Sequence, residues 1–105
     1  MTRPSIAILG GSGLVGSGVV EAFSRSADLI APTHAQLDVL EPTPLETFIT
    51  TTRAQSVVNC VAAADVDGSE LEAGDRTGRV YRVNVDFPRL LAELCQQTSK
   101  HLVHL

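Results

Sequence analysis

Residues 9–16 read Leu9-Gly10-Gly11-Ser12-Gly13-Leu14-Val15-Gly16, and this stretch constrains the fold more than any other. A short apolar run, Ser5-Ile6-Ala7-Ile8-Leu9, enters it, as a buried strand would. Beyond it the period changes. From Leu14 to Arg25, apolar residues Val15, Val19, Ala22 and Phe23 recur at helical spacing, with Glu21 and Arg25 placed to face water. The order is strand, glycine-rich turn, helix.

Each of the spaced glycines has a physical task. Gly10 allows a sharp turn in backbone space closed to larger residues. Gly13, without a Cβ, lets a ligand's diphosphate come close to the main chain, and Gly16 lets the helix pack tightly on the first strand. The helix then begins with unpaired N–H groups and a partial positive charge of about half a unit, an anion site that needs no lysine or arginine. The P-loop, a rival phosphate motif, needs G-x-x-x-x-G-K-[ST]. Gly11 and Gly16 have that spacing, but Ser17 stands where the lysine is required.

The rest of the chain continues the alternation. Asp28 to Pro32 predicts a second strand, with Pro32 tolerated only at its end. Gln36-Leu37-Asp38-Val39 predicts a third, very short one. Thr43-Pro44-Leu45-Glu46 has the form of a helix start with a capping box, and the helix should run to about Arg53. Ser56 to Val61 predicts a further buried strand. Residues 62–78 form an acidic, loop-like stretch without the spacing of a calcium loop. Arg79 to Val85 predicts a helix that restarts with Asp86 as cap and Pro88 in its first turn. Leu90, Leu91, Leu94 and Cys95 are its apolar stripe. His101 to Leu105 predicts a last strand. Such alternation implies right-handed crossovers and a parallel sheet. The expected fold is a Rossmann-type doubly wound α/β sheet, truncated after about five strands in the order 3-2-1-4-5.

A fold of that kind takes a dinucleotide, and its fingerprint places an acid about 20 residues past the glycines to grip the ribose of NAD. Asp38 lies at that distance, but the end of the second strand reads Pro32-Thr33-His34, with neither an acid nor an arginine. NAD and NADP both remain open.

Composition narrows the function classes. At 105 residues the chain fits one domain, residues 1–105. It has no tryptophan, three phenylalanines and one tyrosine, so its core must be built from Val, Leu, Ile and Ala. That suits strands covered on both faces. A net charge of −4 argues against a nucleic-acid partner. No apolar stretch is long enough for a membrane span or a signal peptide, which makes the cytoplasm the expected location. Cys60 and Cys95 sit among apolar neighbours and read as small buried hydrophobes. His34, His101 and His104 lack zinc-ligand spacing, so no metal site is expected. No G-x-S-x-G elbow is present.

These pieces, in this order, resemble the extended short-chain dehydrogenase/reductases, and within them the dTDP-4-dehydrorhamnose reductase branch. The glycine turn is followed by Leu37-Asp38-Val39, then Val57-Val58-Asn59-Cys60-Val61-Ala62-Ala63, then Val66-Asp67 to Glu70. Val83-Asn84-Val85, Leu90-Leu91-Ala92 and Leu102-Val103-His104-Leu105 complete the set. The resemblance implies that Gly10, Gly13, Leu14, Val15 and Gly16 surround a pyrophosphate. It implies that Asp38 and Val39 flank the adenine, that Ala62, Ala63 and Ala64 line the nicotinamide-side ribose, and that Leu105 touches the cofactor. Asn84 would support the helix beside the active site.

The same resemblance implies that the chemistry lies elsewhere. The family's catalytic Ser/Thr follows the last of these strands, and its Tyr-x-x-x-Lys pair comes later. Here Tyr81 is the only tyrosine, with Val85 rather than lysine four residues on, and Lys100 is the only lysine. The chain is therefore expected to be the NAD(P)-binding part of a nucleotide-sugar 4-keto reductase, of the kind used in dTDP-rhamnose biosynthesis, with no catalytic residue of its own and inactive alone. A nucleotide-sugar substrate is expected only for a full-length protein. A stand-alone dinucleotide-binding module or sensor, and a part of a nucleotide-sugar epimerase or dehydratase, are the alternatives. An apolar, unpaired last strand also predicts self-association.

Overall fold

The computed structural model describes residues 3–61 and 85–105. Strand β1 (Ser5–Leu9) leads through the glycine turn to helix α1 (Leu14–Phe23) and strand β2 (Asp28–Ile30). Helix α2 (Pro42–Thr51), strand β3 (Ser56–Asn59), helix α3 (Phe87–Gln97) and strand β4 (His101–His104) follow. The four strands form one sheet in the order β2-β1-β3-β4, and every pairing is parallel. The doubly wound α/β arrangement expected from the sequence is present.

The core lies between the sheet and the pair α2 and α3. Ala7, Leu9 and Val57 project into it from the strands, and Leu45, Ile49, Phe87, Leu91, Leu94 and Cys95 meet them from the helices. Alternation along a strand puts Ile8 on the opposite face, where it is also fully buried. The expected stripe of α3 is the observed one: Leu91, Leu94 and Cys95 are buried and Leu90 packs at the margin. Asp86 is its N-cap residue and Pro88 lies in its first turn, though the Asp86 side chain makes no capping bond.

Three expectations are corrected. Residues Gln36-Leu37-Asp38-Val39 are not a strand. Thr33 O accepts the amides of Gln36 and Leu37, each at 2.9 Å, and Asp38 Oδ1 accepts the amide of Leu40 at 3.0 Å. Gln36 Oε1 closes the turn by accepting from Thr33 N at 2.8 Å. Such local side-chain bonds compete with a sheet ladder and win where the candidate strand is short. The described residues therefore give four strands rather than five.

Helix α2 starts earlier than the Thr43 capping box predicts. Glu41 is its N-cap residue and Pro42 its first helical residue, with no side-chain cap. The bond from Glu41 N to Asp38 O brings the chain round two residues sooner, and a proline at the first position costs nothing there.

Helix α1 does not bury Val15, Val19, Ala22 and Phe23 as a stripe. Val15 is 57% exposed and Phe23 43% exposed, Ala22 is exposed, and Val19 is half-buried. Gly16 is the buried residue of this helix. The contact runs through Gly16 and Val20, because a Cβ placed on Gly11 would meet Val20 Cγ2 at 3.3 Å. The glycines let the helix approach on a different face from the one its apolar side chains mark.

Arg3 fastens the start of the sheet to the end of α1. Its Nη2 donates to Ser24 O at 3.1 Å and to Ala27 O at 2.9 Å. Among the described residues no helix is long and apolar enough to cross a membrane.

Candidate dinucleotide site

The register fixes the geometry of the carboxyl edge of the sheet. Leu9 pairs with Asn59, and Asn59 with His104, so the residues that follow these three strands lie side by side. Gly10, Cys60 and Leu105 therefore form a row. Cys60 N donates to Leu9 O at 2.8 Å and Leu105 N to Asn59 O at 3.1 Å.

Gly10 takes φ +79, and a Cβ there would fall 2.8 Å from Val61 N and 2.9 Å from the carbonyl carbon of Cys60. Both the left-handed backbone and the lack of space demand glycine. Gly13 is extended and stands at the N-cap position of α1. Its amide donates to Gly10 O at 3.1 Å, while its carbonyl accepts from Ser17 N at 2.9 Å, the first bond of the helix. The amides of Leu14, Val15 and Gly16 precede that bond, as the opening amides of a helix do, and have no acceptor within the helix. Gly13 thus contributes its shape and its carbonyl, and the three residues after it contribute the donors. The Leu14 side chain is 91% exposed beside them.

The other expected residues fall into three groups. Leu105, 66% exposed, lies in the row with the glycine turn. Asp38 and Val39 lie in the turn after β2. One Asp38 oxygen is held by Leu40 N, and Val39 packs against the core margin. Val39, with Leu40, Pro42, Asp86, Phe87 and Leu90, lines a cavity of about 210 Å³. Ala62, Ala63, Ala64, Tyr81 and Asn84 lie outside the described residues, as do the acidic stretch and most of the helix expected over residues 79–85. A larger apolar cavity of about 640 Å³ opens between the end of β2 and α2, lined by Ile30, Pro32, Leu37 and Phe48 among others. Among the described residues no cluster of three or more His, Cys, Asp or Glu could hold a metal ion.

Two polar residues stand out that the sequence reading did not assign. Asn59 is 3% exposed, the one buried polar side chain among the described residues. Its Oδ1 accepts the amide of Val61 at 3.0 Å and its Nδ2 lies 3.1 Å from His104 Nδ1. An asparagine inside the apolar run from Val57 to Val61 was the available signal, since a buried amide needs partners. Lys100 donates from Nζ to Thr52 O at 3.2 Å and to Ala54 O at 2.5 Å, closing the end of α2. Burial raises the pKa of the Cys95 thiol, and the nearby Lys100 ammonium offsets part of that rise.

Comparison with known proteins agrees with this architecture. The chain is 32% identical over 101 residues to a dTDP-4-dehydrorhamnose reductase of Mycobacterium tuberculosis, covering 95% of this chain and 31% of that protein. Among solved structures, a dTDP-4-dehydrorhamnose reductase from Bacillus anthracis in complex with NADP superposes with a TM-score of 0.80 at 20% identity, covering 97% of this chain and 35% of that one. A GDP-mannoheptose C4 reductase from Campylobacter jejuni with NADP bound gives 0.79 at 18% identity, covering 99% and 33%. The structural likenesses establish the fold, and the chain spans about a third of the length of these relatives. The family described as RmlD substrate binding domain matches residues 4–105, and the chain belongs to it.

Proposed function

We propose that the chain is the dinucleotide platform of a nucleotide-sugar 4-keto reductase of the dTDP-4-dehydrorhamnose reductase kind, taking NADP or NAD. One observation carries this reading. The left-handed turn at Gly10 leads into a helix whose amides at Leu14, Val15 and Gly16 lack acceptors within it, at the carboxyl edge of a parallel sheet. Ligands of open α/β sheets bind at that edge. The space denied to a Cβ at Gly10 is filled by the main chain of Cys60 and Val61, which seats the turn against the end of β3. Two of the solved structures named above hold NADP, which favours the same ligand.

In this reading the amides of Leu14, Val15 and Gly16 hold the diphosphate. Asp38 and Val39 border the adenine, Ala62, Ala63 and Ala64 border the ribose on the nicotinamide side, and Leu105 limits the far end. A reduced nicotinamide would supply hydride to a keto-sugar nucleotide. In this reading the part of these 105 residues is to position the cofactor, and no turnover is expected of them alone.

Calorimetric titration with NADPH, NADH and ADP tests the platform. Binding in the micromolar range, with ADP retaining part of the affinity, is expected. A folded chain that releases no heat at millimolar dinucleotide would refute it. Steady NADPH oxidation by the purified chain in the presence of a 4-keto nucleotide-sugar would refute the absence of turnover.

A further inference from the structure

The Asn59–His104 pair has a consequence for the glycine turn. An asparagine amide has an accepting oxygen and a donating nitrogen. Val61 N–H can only donate, so the atom facing it, at 3.0 Å, is the oxygen. The nitrogen therefore faces His104 Nδ1 at 3.1 Å, and that ring atom must present a lone pair. The ring proton of the neutral imidazole then sits on Nε2. Asn59 is almost fully buried, so its amide has no water to turn to. Val61, held by Asn59 Oδ1, is the residue whose N and Cα crowd Gly10.

We propose that Asn59 is a positioning residue that fixes His104 as the Nε2–H tautomer and couples protonation of that ring to the hydrogen bond holding Val61 against Gly10. A doubly protonated imidazole puts a second donor on Nδ1, opposite the Asn59 nitrogen. Turning the amide over satisfies His104 but sets the nitrogen against Val61 N–H. The first arrangement sets two donors face to face at His104 and the second sets them face to face at Val61, so the link to Val61 weakens in acid as far as the amide turns over.

Among the described residues, β3 and α3 make the main contacts with β4. β3 carries no ionisable side chain. α3 carries Arg89, Glu93 and Cys95, with Asp86 before it, and His101 lies on the opposite face of β4. Among the described residues the one salt bridge, Arg3–Asp28, lies at β2 on the far edge of the sheet.

The coupling from His104 to Val61 stands on geometry alone. Its extension to cofactor affinity rests on the function proposed above. Nitrogen-15 NMR of the 105-residue chain tests the first part. At neutral pH, His104 Nδ1 should resonate as an unprotonated nitrogen and Nε2 as a protonated one. On acidification the Val61 amide should shift along the same curve as His104, and its exchange protection should fall roughly fivefold, the worth of one modest hydrogen bond. H104Q supplies an accepting oxygen that does not titrate and should abolish the Val61 response. H101Q should leave it intact. A proton on Nδ1 at neutral pH, or a Val61 amide that stays still while His104 titrates, would overturn the proposal. If Val61 responds but no dinucleotide binds at any pH, the functional reading fails and the coupling stands.

Discussion

A Cβ atom added to Gly16 would fall 1.9 Å from the carbonyl oxygen of Gly10, the residue that turns the chain out of β1. The next atoms in its way are the carbonyl carbon of Gly10 at 2.7 Å and Cα of Gly11 at 2.9 Å. All are main chain, so no side-chain rotation relieves the overlap. Gly18, two residues on in the same helix, has nothing within 4 Å of its own Cβ position. The two glycines therefore separate packing from propensity. G18A should stabilise the chain by roughly 0.5–1 kcal/mol, the helix preference of alanine over glycine. G16A gains the same preference but forces the helix off the turn, and should cost about 3 kcal/mol or more. Urea denaturation of the two variants checks this, and equal effects would show that α1 does not rest on the turn through Gly16.

That contrast also marks how far the sequence could be read. The spacing of Gly10, Gly13 and Gly16 against an apolar run was enough to predict strand, turn and helix. The alternation of periods predicted a parallel sheet with β1 at its centre. The face of α1 was not legible. Apolar periodicity points to Val15 and Val19, whereas packing is decided by where a side chain is missing, and hydrophobic patterns carry no signal for that. The strand expected at Gln36 to Val39 fails for a different reason. Its apolar alternation is real, but Thr33, Gln36 and Asp38 supply local bonds that satisfy the backbone first. Of the candidate site, the positions of the glycine turn and Leu105 in the fold were legible because each follows a strand. Asn59 could not, because its partner His104 lies 45 residues away and the pairing depends on register.

Lys100 joins the start of β4 to the end of α2 by donating to two carbonyls, Thr52 O and Ala54 O. The ammonium ties the C-cap residue of α2 and the segment leading into β3 to the start of β4, and it also answers the negative end of the α2 dipole. K100M keeps most of the side-chain volume and removes the donors. It should destabilise the chain by about 1–3 kcal/mol, measured by chemical denaturation. A loss below a few tenths would mean that water replaces the ammonium without cost.

Among the described strands β4 is the edge of the sheet, and its outward residue Val103 is 47% exposed. Its row on the sheet face, Ile8, Val58 and Val103, is buried at the centre and open at the edge. Proteins commonly guard such an edge with a charge, and the strand His101–His104 carries no lysine, aspartate or glutamate. Sedimentation of the 105-residue chain should show association that grows with concentration, and V103K should shift it toward monomer. Identical behaviour of the two would assign any association to another surface.

The Cys95 thiol gives a pH dependence of definite sign. It is 2% exposed in the core between α3 and the sheet, and burial raises its pKa above the ordinary value, with the Lys100 ammonium opposing in part. Burial disfavours the thiolate because a charge in an apolar setting loses its hydration. On unfolding the thiol returns to its ordinary pKa of about 8.5. Above that pH the unfolded chain has released a proton that the folded chain retains, so the unfolded state binds fewer protons and stability falls as pH rises. The contribution is complete below about pH 8.5 and disappears as the pH climbs through the raised folded value. Thermal melts should be insensitive to this group at neutral pH and should decline on the alkaline side. C95A lowers the whole curve, since it leaves a small void, but should remove the part of the alkaline decline that belongs to the thiol. An alkaline slope identical in C95A and the parent chain would show that the Cys95 proton is not linked to folding.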